Sequence, residues 1–333
     1  MALRRVCIPV IMMAVQCLFL SSSMTVQAAQ PYQQNSSDTT FGLGLGHLTG
    51  NTLYHISSYD ATGGIESELE FPLKMFLFGI EGTYNSKNRK GQDEFRLSFQ
   101  WMMNLGEGSG QLKDSDWISG TAETSPPPNG LGFPAHPGLD IFSTSDISSK
   151  ANIIEVKAVF NNWLSDTVSF GPLAGLLYQK FQFDASNVQQ VGYGPYAATY
   201  TGSVSGLVLA YEVTYSIPYF GVHSEMKFAE GFKATVDLSY SPWASAEDRD
   251  YHLLRMKVSQ ASTSGSAYLA AAAAQWNLQN NNNFQVRGQY LKIDTSGTQT
   301  QTFYDGSGMT ITGINDNITS EQTSLTFLFS HRF

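Results

Sequence analysis

The last ten residues, Ser324-Leu325-Thr326-Phe327-Leu328-Phe329-Ser330-His331-Arg332-Phe333, constrain the fold more than any other stretch. Laid out as an extended strand, Leu325, Phe327, Phe329, His331 and Phe333 share one face. Ser324, Thr326, Ser330 and Arg332 share the other, with Leu328 the apolar exception. A period of two belongs to a strand that separates two different environments. One face of aromatic residues and one of hydroxyls suits a wall between lipid and a polar lumen. A strand of a soluble sandwich alternates as well, so the rest of the chain has to decide.

The amino terminus points to export. Arg4 and Arg5 are followed by a mostly apolar run over 6–20 and by Val26-Gln27-Ala28, a small-residue processing site. Residues 1–28 therefore read as a signal peptide. The apolar run is too short for a spanning helix, and Gln16 before Cys17 argues against lipidation. Both cysteines, Cys7 and Cys17, fall in this segment. The remainder is expected to hold no disulfide, no thiolate nucleophile and no cysteine-bound metal. Without Arg4 and Arg5 the balance is 17 basic residues against 28 acidic, or −11. That charge disfavours nucleic acid as a partner and favours cationic polypeptides. Charged residues make up 14% of the chain, well below the roughly 25% of soluble domains. Beyond residue 28 no apolar stretch reaches the roughly 18 residues of a spanning helix. A chain of this kind can cross a membrane only as strands, and only a closed barrel leaves no unpaired backbone in lipid.

Alternation and turn residues predict ten strands, at 41–56, 64–84, 93–104, 150–163, 166–184, 204–228, 232–243, 255–275, 284–294 and 319–333. In one of them Ile153, Glu155, Lys157 and Val159 alternate with Ile154, Val156, Ala158 and Phe160. The alanines at 270–274 favour helix, but small residues are tolerable in a barrel wall, so 255–275 is read as a strand. Short connections at 85–92, 165, 229–231 and 280–283 alternate with longer ones at 105–149, 185–203, 244–254 and 295–318. Even strand number, short turns at one end and long loops at the other are the pattern of bacterial outer-membrane proteins. The expected fold is all-β: a transmembrane antiparallel up-and-down β-barrel of about ten strands. It forms one domain over 29–333 with its long loops facing the exterior.

Two of those outward loops carry acidic clusters. One reads Lys113-Asp114-Ser115-Asp116-Trp117; the other runs from Trp243 through Glu247-Asp248-Arg249-Asp250-Tyr251-His252. A lone cluster of this kind is most often a solvated loop. A calcium site would need more oxygen ligands and a turn glycine, and a zinc site more than His252, so no metal or other cofactor is expected. Strand parity puts both clusters at one rim. Asp250 and His252, two apart, point the same way in extended chain, which lets a carboxylate hold an imidazole that takes a proton from water. Asp114 and Asp116 would bind the other side of that water and share a proton between them. This arrangement suits peptide-bond hydrolysis without a covalent intermediate.

At these residues the chain resembles the omptin family of ten-stranded outer-membrane endopeptidases. Asp114-Ser115-Asp116-Trp117 is similar to the family's paired aspartates and tryptophan. Ser241-Pro242-Trp243 followed by Asp248-Arg249-Asp250-Tyr251-His252 is similar to its Asp-His dyad segment. Shorter echoes, in family order, are Gly46-His47-Leu48-Thr49-Gly50-Asn51-Thr52, Gly175-Leu176-Leu177-Tyr178-Gln179 and Ile217-Pro218-Tyr219-Phe220-Gly221. The resemblance implies Asp114, Asp116, Asp250 and His252 as the catalytic set around an activated water. It also implies polypeptide substrates, and an outer-membrane lipid, lipopolysaccharide, as a partner. Two departures stand out. Of the two acids that hold a basic substrate side chain in the family, Asp248 matches one, while the other position holds Tyr54, which can offer only a cation–π face. Where the family's lipopolysaccharide site has an acid and arginines, this chain has Lys180, Gln182 and Thr214.

His47, His55, His136 and His223 are isolated in sequence and read as structural, as does His331 in the aromatic closing strand. Pro126-Pro127-Pro128-Asn129-Gly130 reads as a stiff turn that shapes the long loop. The alternative function is a barrel without catalysis, either a narrow pore or an adhesin.

Overall fold

The computed structural model describes residues 37–60, 63–118 and 139–333. The proposed signal peptide, the proline turn at 126–130 and His136 lie outside the described residues. Twelve strands form one antiparallel sheet. They are β1 (Ser37–Asp60), β2 (Gly63–Lys87), β3 (Asp93–Asn104), β4 (Gly108–Trp117), β5 (Ile141–Phe160) and the two-residue β6 (Asn162–Trp163). The remainder are β7 (Val168–Gly192), β8 (Gly202–Ala229), β9 (Phe232–His252), β10 (Lys257–Asn277), β11 (Asn282–Phe303) and β12 (Thr310–Arg332).

The sheet closes on itself. β1 pairs with β12 from Thr40 opposite Arg332 to Ser57 opposite Asn315. β3 pairs with the lower part of β2 and β4 with its upper part, and both pair with β5. β3 and β4 thus occupy one position in the wall, β6 continues β5 along β7, and the barrel is a ring of ten strands, as the alternation predicts. The polyalanine stretch does lie in a strand, β10. Gly50 shows how tightly the seam fits: its φ is +138°, and an added Cβ would strike the carbonyl oxygen of Glu321 on β12.

The strands run well past the predicted ends. Residues 108–117, 141–149, 185–192, 244–252, 295–303 and 310–318 are strand where long loops are predicted. Asp114 and Asp116 therefore sit on a strand and not in a loop. The outward face of β9 gives the reason: Val236, Leu238, Tyr240 and Trp243 are exposed and apolar, then Ser245, Glu247 and Arg249 follow. On β2 the outward residues change from Phe78 and Phe76 to Lys74, Glu70, Glu68 and Glu66. Above that level the outward residues are polar, and the inward ones mix apolar side chains such as Phe71 with acids such as Asp248 and Asp250, so the apolar-outward pattern is lost although the hydrogen-bonded ladder continues. Leu325, Phe327 and Phe329 face outward as predicted, and Leu328 is buried inside.

Side chains cross the lumen at several levels. Gln179 on β7 and Gln322 on β12 exchange amide hydrogen bonds of 2.9 and 3.0 Å across it. Arg287 pairs with Glu155 at 3.1 Å, Lys157 with Asp237 at 2.7 Å and Arg96 with Glu225 at 2.8 Å, each between non-neighbouring strands. Such pairs satisfy the charges that a small barrel must carry inside. Planar-bilayer recording of the refolded protein is accordingly expected to give no steady open-channel current; sustained conductance would show that these crossings do not hold the lumen shut.

Candidate active site

β4 sets Asp114 and Asp116 on its inner face, opposite Leu69 and Ser67 of β2. β9 does the same for Asp248, Asp250 and His252, which lie opposite Ala261, Ser259 and Lys257 of β10. Period two is what aims each set inward. Asp116 is 4% exposed and Asp250 2%.

β4 and β9 are separated in the wall by β5, β7 and β8, so the two sets meet across the mouth. After His252 the chain makes one 3₁₀ turn, Leu253–Arg255, and Met256 reverses it in the left-handed region at φ 47°. This turn swings Arg255 over the opening, where Nη2 lies 3.3 Å from Oδ2 of Asp116. Lys257, the first residue of β10, is buried beside Asp250. Neither cation was legible as a site residue, since a turn has no periodicity to read; their only signal was closeness in sequence to His252.

Burial and the neighbouring Asp116 push the Asp114 carboxyl well above the usual carboxylate range, with Arg255 opposing and Asp250 adding to the rise. Burial carries Asp250 up to about 6, moderated by Lys257 and Arg255. Burial and the same two cations carry His252 down to about 3, so its imidazole is neutral through the physiological range. Oδ1 of Asp114, Oδ1 of Asp250 and Nδ1 of His252 are each buried without a hydrogen-bond partner. Asp250 and His252 share a face as predicted, but no hydrogen bond joins them. His252 is the last residue of its strand, with φ −85° and ψ 89°, and its chain already turns away.

Beside this set lies a second group. Asp248 accepts a 2.8 Å bond from the Ala261 N–H through Oδ1, while Oδ2 is buried and unpartnered. Tyr54, 1% exposed, reaches the group from β1, its ring centroid 5.5 Å from that of Tyr211. Its hydroxyl meets Nε2 of Gln299, and burial with the nearby Asp250 and Asp248 raises its pKa, keeping it neutral. Among the described residues no group of three His, Asp or Glu is arranged to hold a metal ion.

Other residues singled out in the sequence lie elsewhere. Lys180 and Gln182 sit on the outer wall, both bonded to Glu212 at 2.8 and 2.9 Å. His55 pairs with Glu66 at 2.7 Å, and His223 with Asp237 at 2.5 Å inside the lumen. His47 packs its ring 4.9 Å from Phe76, and His331 is exposed near Phe333.

The fold is a closed ten-stranded barrel of the outer-membrane class, with buried acids, an imidazole and two cations gathered at one mouth. The omptin family model matches residues 35–333, and the chain belongs to that family, whose members are outer-membrane proteases. In fold it is similar to the outer membrane protease OmpT from Escherichia coli, with a TM-score of 0.74 at 14% identity, covering 90% of this chain and 99% of that one. The outer membrane protein OprG from Pseudomonas aeruginosa gives a TM-score of 0.33 at 9% identity over 90% of this chain and 97% of that one. The translocator domain of the autotransporter NalP from Neisseria meningitidis gives 0.34 at 9% identity, over 98% and 96%. No curated protein sequence matches the chain.

Proposed function

We propose that the chain is an endopeptidase that hydrolyses polypeptides at the cell exterior, with a water activated between the Asp114–Asp116 pair and the Asp250–His252 set. The observation that carries this reading is the Arg255–Asp116 contact across the mouth, which draws the two sets together around three buried, unpartnered atoms. His252, neutral at rest, takes a proton from the water as the oxygen attacks the peptide carbonyl. Ionised Asp250 stabilises the imidazolium that forms. Burial and the neighbouring Asp116 raise the Asp114 carboxyl, so Asp114 carries a proton. That proton is directed at the carbonyl oxygen, where negative charge develops. The imidazolium then gives its proton to the leaving amine.

Hydrolysis in ¹⁸O-water is expected to place one labelled oxygen in the new carboxylate, with no transfer of the acyl group to added hydroxylamine. Hydroxamate formation would mean an acyl-enzyme and would remove the proposal. The pH dependence follows from the same groups. Asp250 supports catalysis only when ionised, so kcat/KM is expected to rise with pH through about 6. It is expected to fall on the alkaline side as the acid pair loses its shared proton. Rates measured across that range on one peptide test both limbs; a profile flat through the lower limb would rule out the role given to Asp250.

A further inference from the structure

The anion of Asp250 has to be stabilised by something, and the usual means are missing. Water is shut out, since the residue is 2% exposed. Hydrogen bonding gives nothing at Oδ1, which has no partner, and Ser259, directly opposite on β10, leaves its own hydroxyl unpartnered. A buried carboxyl in that position keeps its proton unless a cation lies close by. Two cations do. Arg255 is committed elsewhere: its guanidinium lies 3.3 Å from Asp116, and its side chain is 47% exposed, so water screens its field. Lys257 is 6% exposed and forms no direct ion pair among the described residues.

Local geometry fixes where Lys257 acts. Because the chain makes only the turn Leu253–Arg255 before Met256 reverses it, β10 begins directly opposite His252. Lys257 pairs with His252 in the ladder, and Ser259 pairs with Asp250. Both β10 residues are buried on the inner face, as the period of two requires. Asp250 is therefore the diagonal cross-strand neighbour of Lys257, a backbone spacing of roughly 7–8 Å that a long side chain spans. The groups around them from other elements carry no positive charge. Asp114 and Asp116 stand on β4, Asp248 on β9, Asp316 on β12 and Tyr54 on β1. Tyr211 is opposite Asp250 on β8, and Phe303 is opposite Lys257 on β11. Of the two cations, Lys257 acts more strongly on Asp250 and Arg255 more strongly on His252. We propose that Lys257 is a positioning residue: its ammonium, reaching along the inner face from the start of β10, holds Asp250 in the ionised form that the imidazolium needs, while Arg255 serves Asp116.

Lys257 acts through Asp250, so its part in catalysis rests on the protease reading, and two measurements keep the two claims apart. The first is the pH profile of kcat/KM on one peptide for wild type, Lys257→Met and Lys257→Arg. Removing a cation favours the protonated carboxyl, so in Lys257→Met the acid limb is expected to move upward from about 6 by roughly 1 pH unit or more. The arginine variant keeps the charge and is expected to keep the wild-type limb. KM is expected to change little, because Lys257 acts on Asp250 and not on the substrate. An acid limb at the wild-type position in Lys257→Met, or one raised equally in Lys257→Arg, would overturn the assignment. So would a loss confined to KM, which would make Lys257 a substrate-binding residue. The second measurement titrates the Asp250 carboxyl by ¹³C NMR of aspartate-labelled protein, its signal identified by its absence from Asp250→Asn. The midpoint is expected to rise by the same amount in Lys257→Met. That rise, with no cleavage of any peptide by wild type, would remove the protease reading and leave the role of Lys257 standing. An unmoved midpoint would overturn that role whatever the activity. Heat-modifiable migration on gels confirms that each variant has closed its barrel, and Lys257→Gln replaces the methionine variant should that one fail to close.

Discussion

His252→Ala is expected to lower kcat by roughly 10²- to 10⁴-fold, the range associated with losing a positioned general base. His252 is neutral at rest and so free to accept a proton, because burial, Arg255 and Lys257 all oppose its protonation. Alanine leaves a water in the mouth with no base to take its proton. Asp250→Asn keeps the shape and removes the charge that stabilises the imidazolium, so kcat is expected to fall with KM little changed. The double variant is expected to be no slower than about the worse single one, since the two residues act on one proton. Both side chains lie at the top of β9, above the apolar band, so barrel closure is expected to survive. The measurement is steady-state cleavage of a fluorogenic peptide by refolded protein. Rates equal to wild type in folded variants would take these residues out of the mechanism.

Phe71→Ala is expected to cost about 3–5 kcal/mol, the usual range for deleting a buried phenylalanine. Phe71 is fully buried on β2, stacked on Tyr211 at 4.4 Å and 5.0 Å from Phe183. Tyr211 in turn meets Tyr54, so this aromatic layer spans β1, β2, β7 and β8 beneath the acids. Loss of the ring opens a cavity that side chains from four strands cannot all collapse into. Guanidinium unfolding followed by tryptophan fluorescence reads the change, and activity near the unfolding threshold is expected to fall with it. A loss under about 1 kcal/mol would mean that the rim is held in shape by its strand ladders and not by this layer.

The lower barrel was legible because lipid leaves a strand little choice. Leu325, Phe327 and Phe329 must face outward, and the alternation follows from that requirement alone. The upper barrel was not legible in the same way. Gln111 and Lys113 on β4, or Glu247 and Arg249 on β9, face water, and a polar residue there says nothing about whether the backbone is ladder or loop. Asp114 and Asp116 consequently read as loop residues, although their inward direction is set by a strand.

What the chain determined by itself was a wall: ten strands, their parity, and therefore which end of the barrel Asp114, Asp116, Asp250 and His252 share. Local periodicity is enough for that, because each side chain's direction depends only on its own strand. What stands opposite what was decided by closure. Arg255 reaching Asp116 at 3.3 Å across the mouth depends on register summed around the whole cylinder. No short stretch of sequence carries that sum, and the electrostatics of the mouth exist only once it is complete.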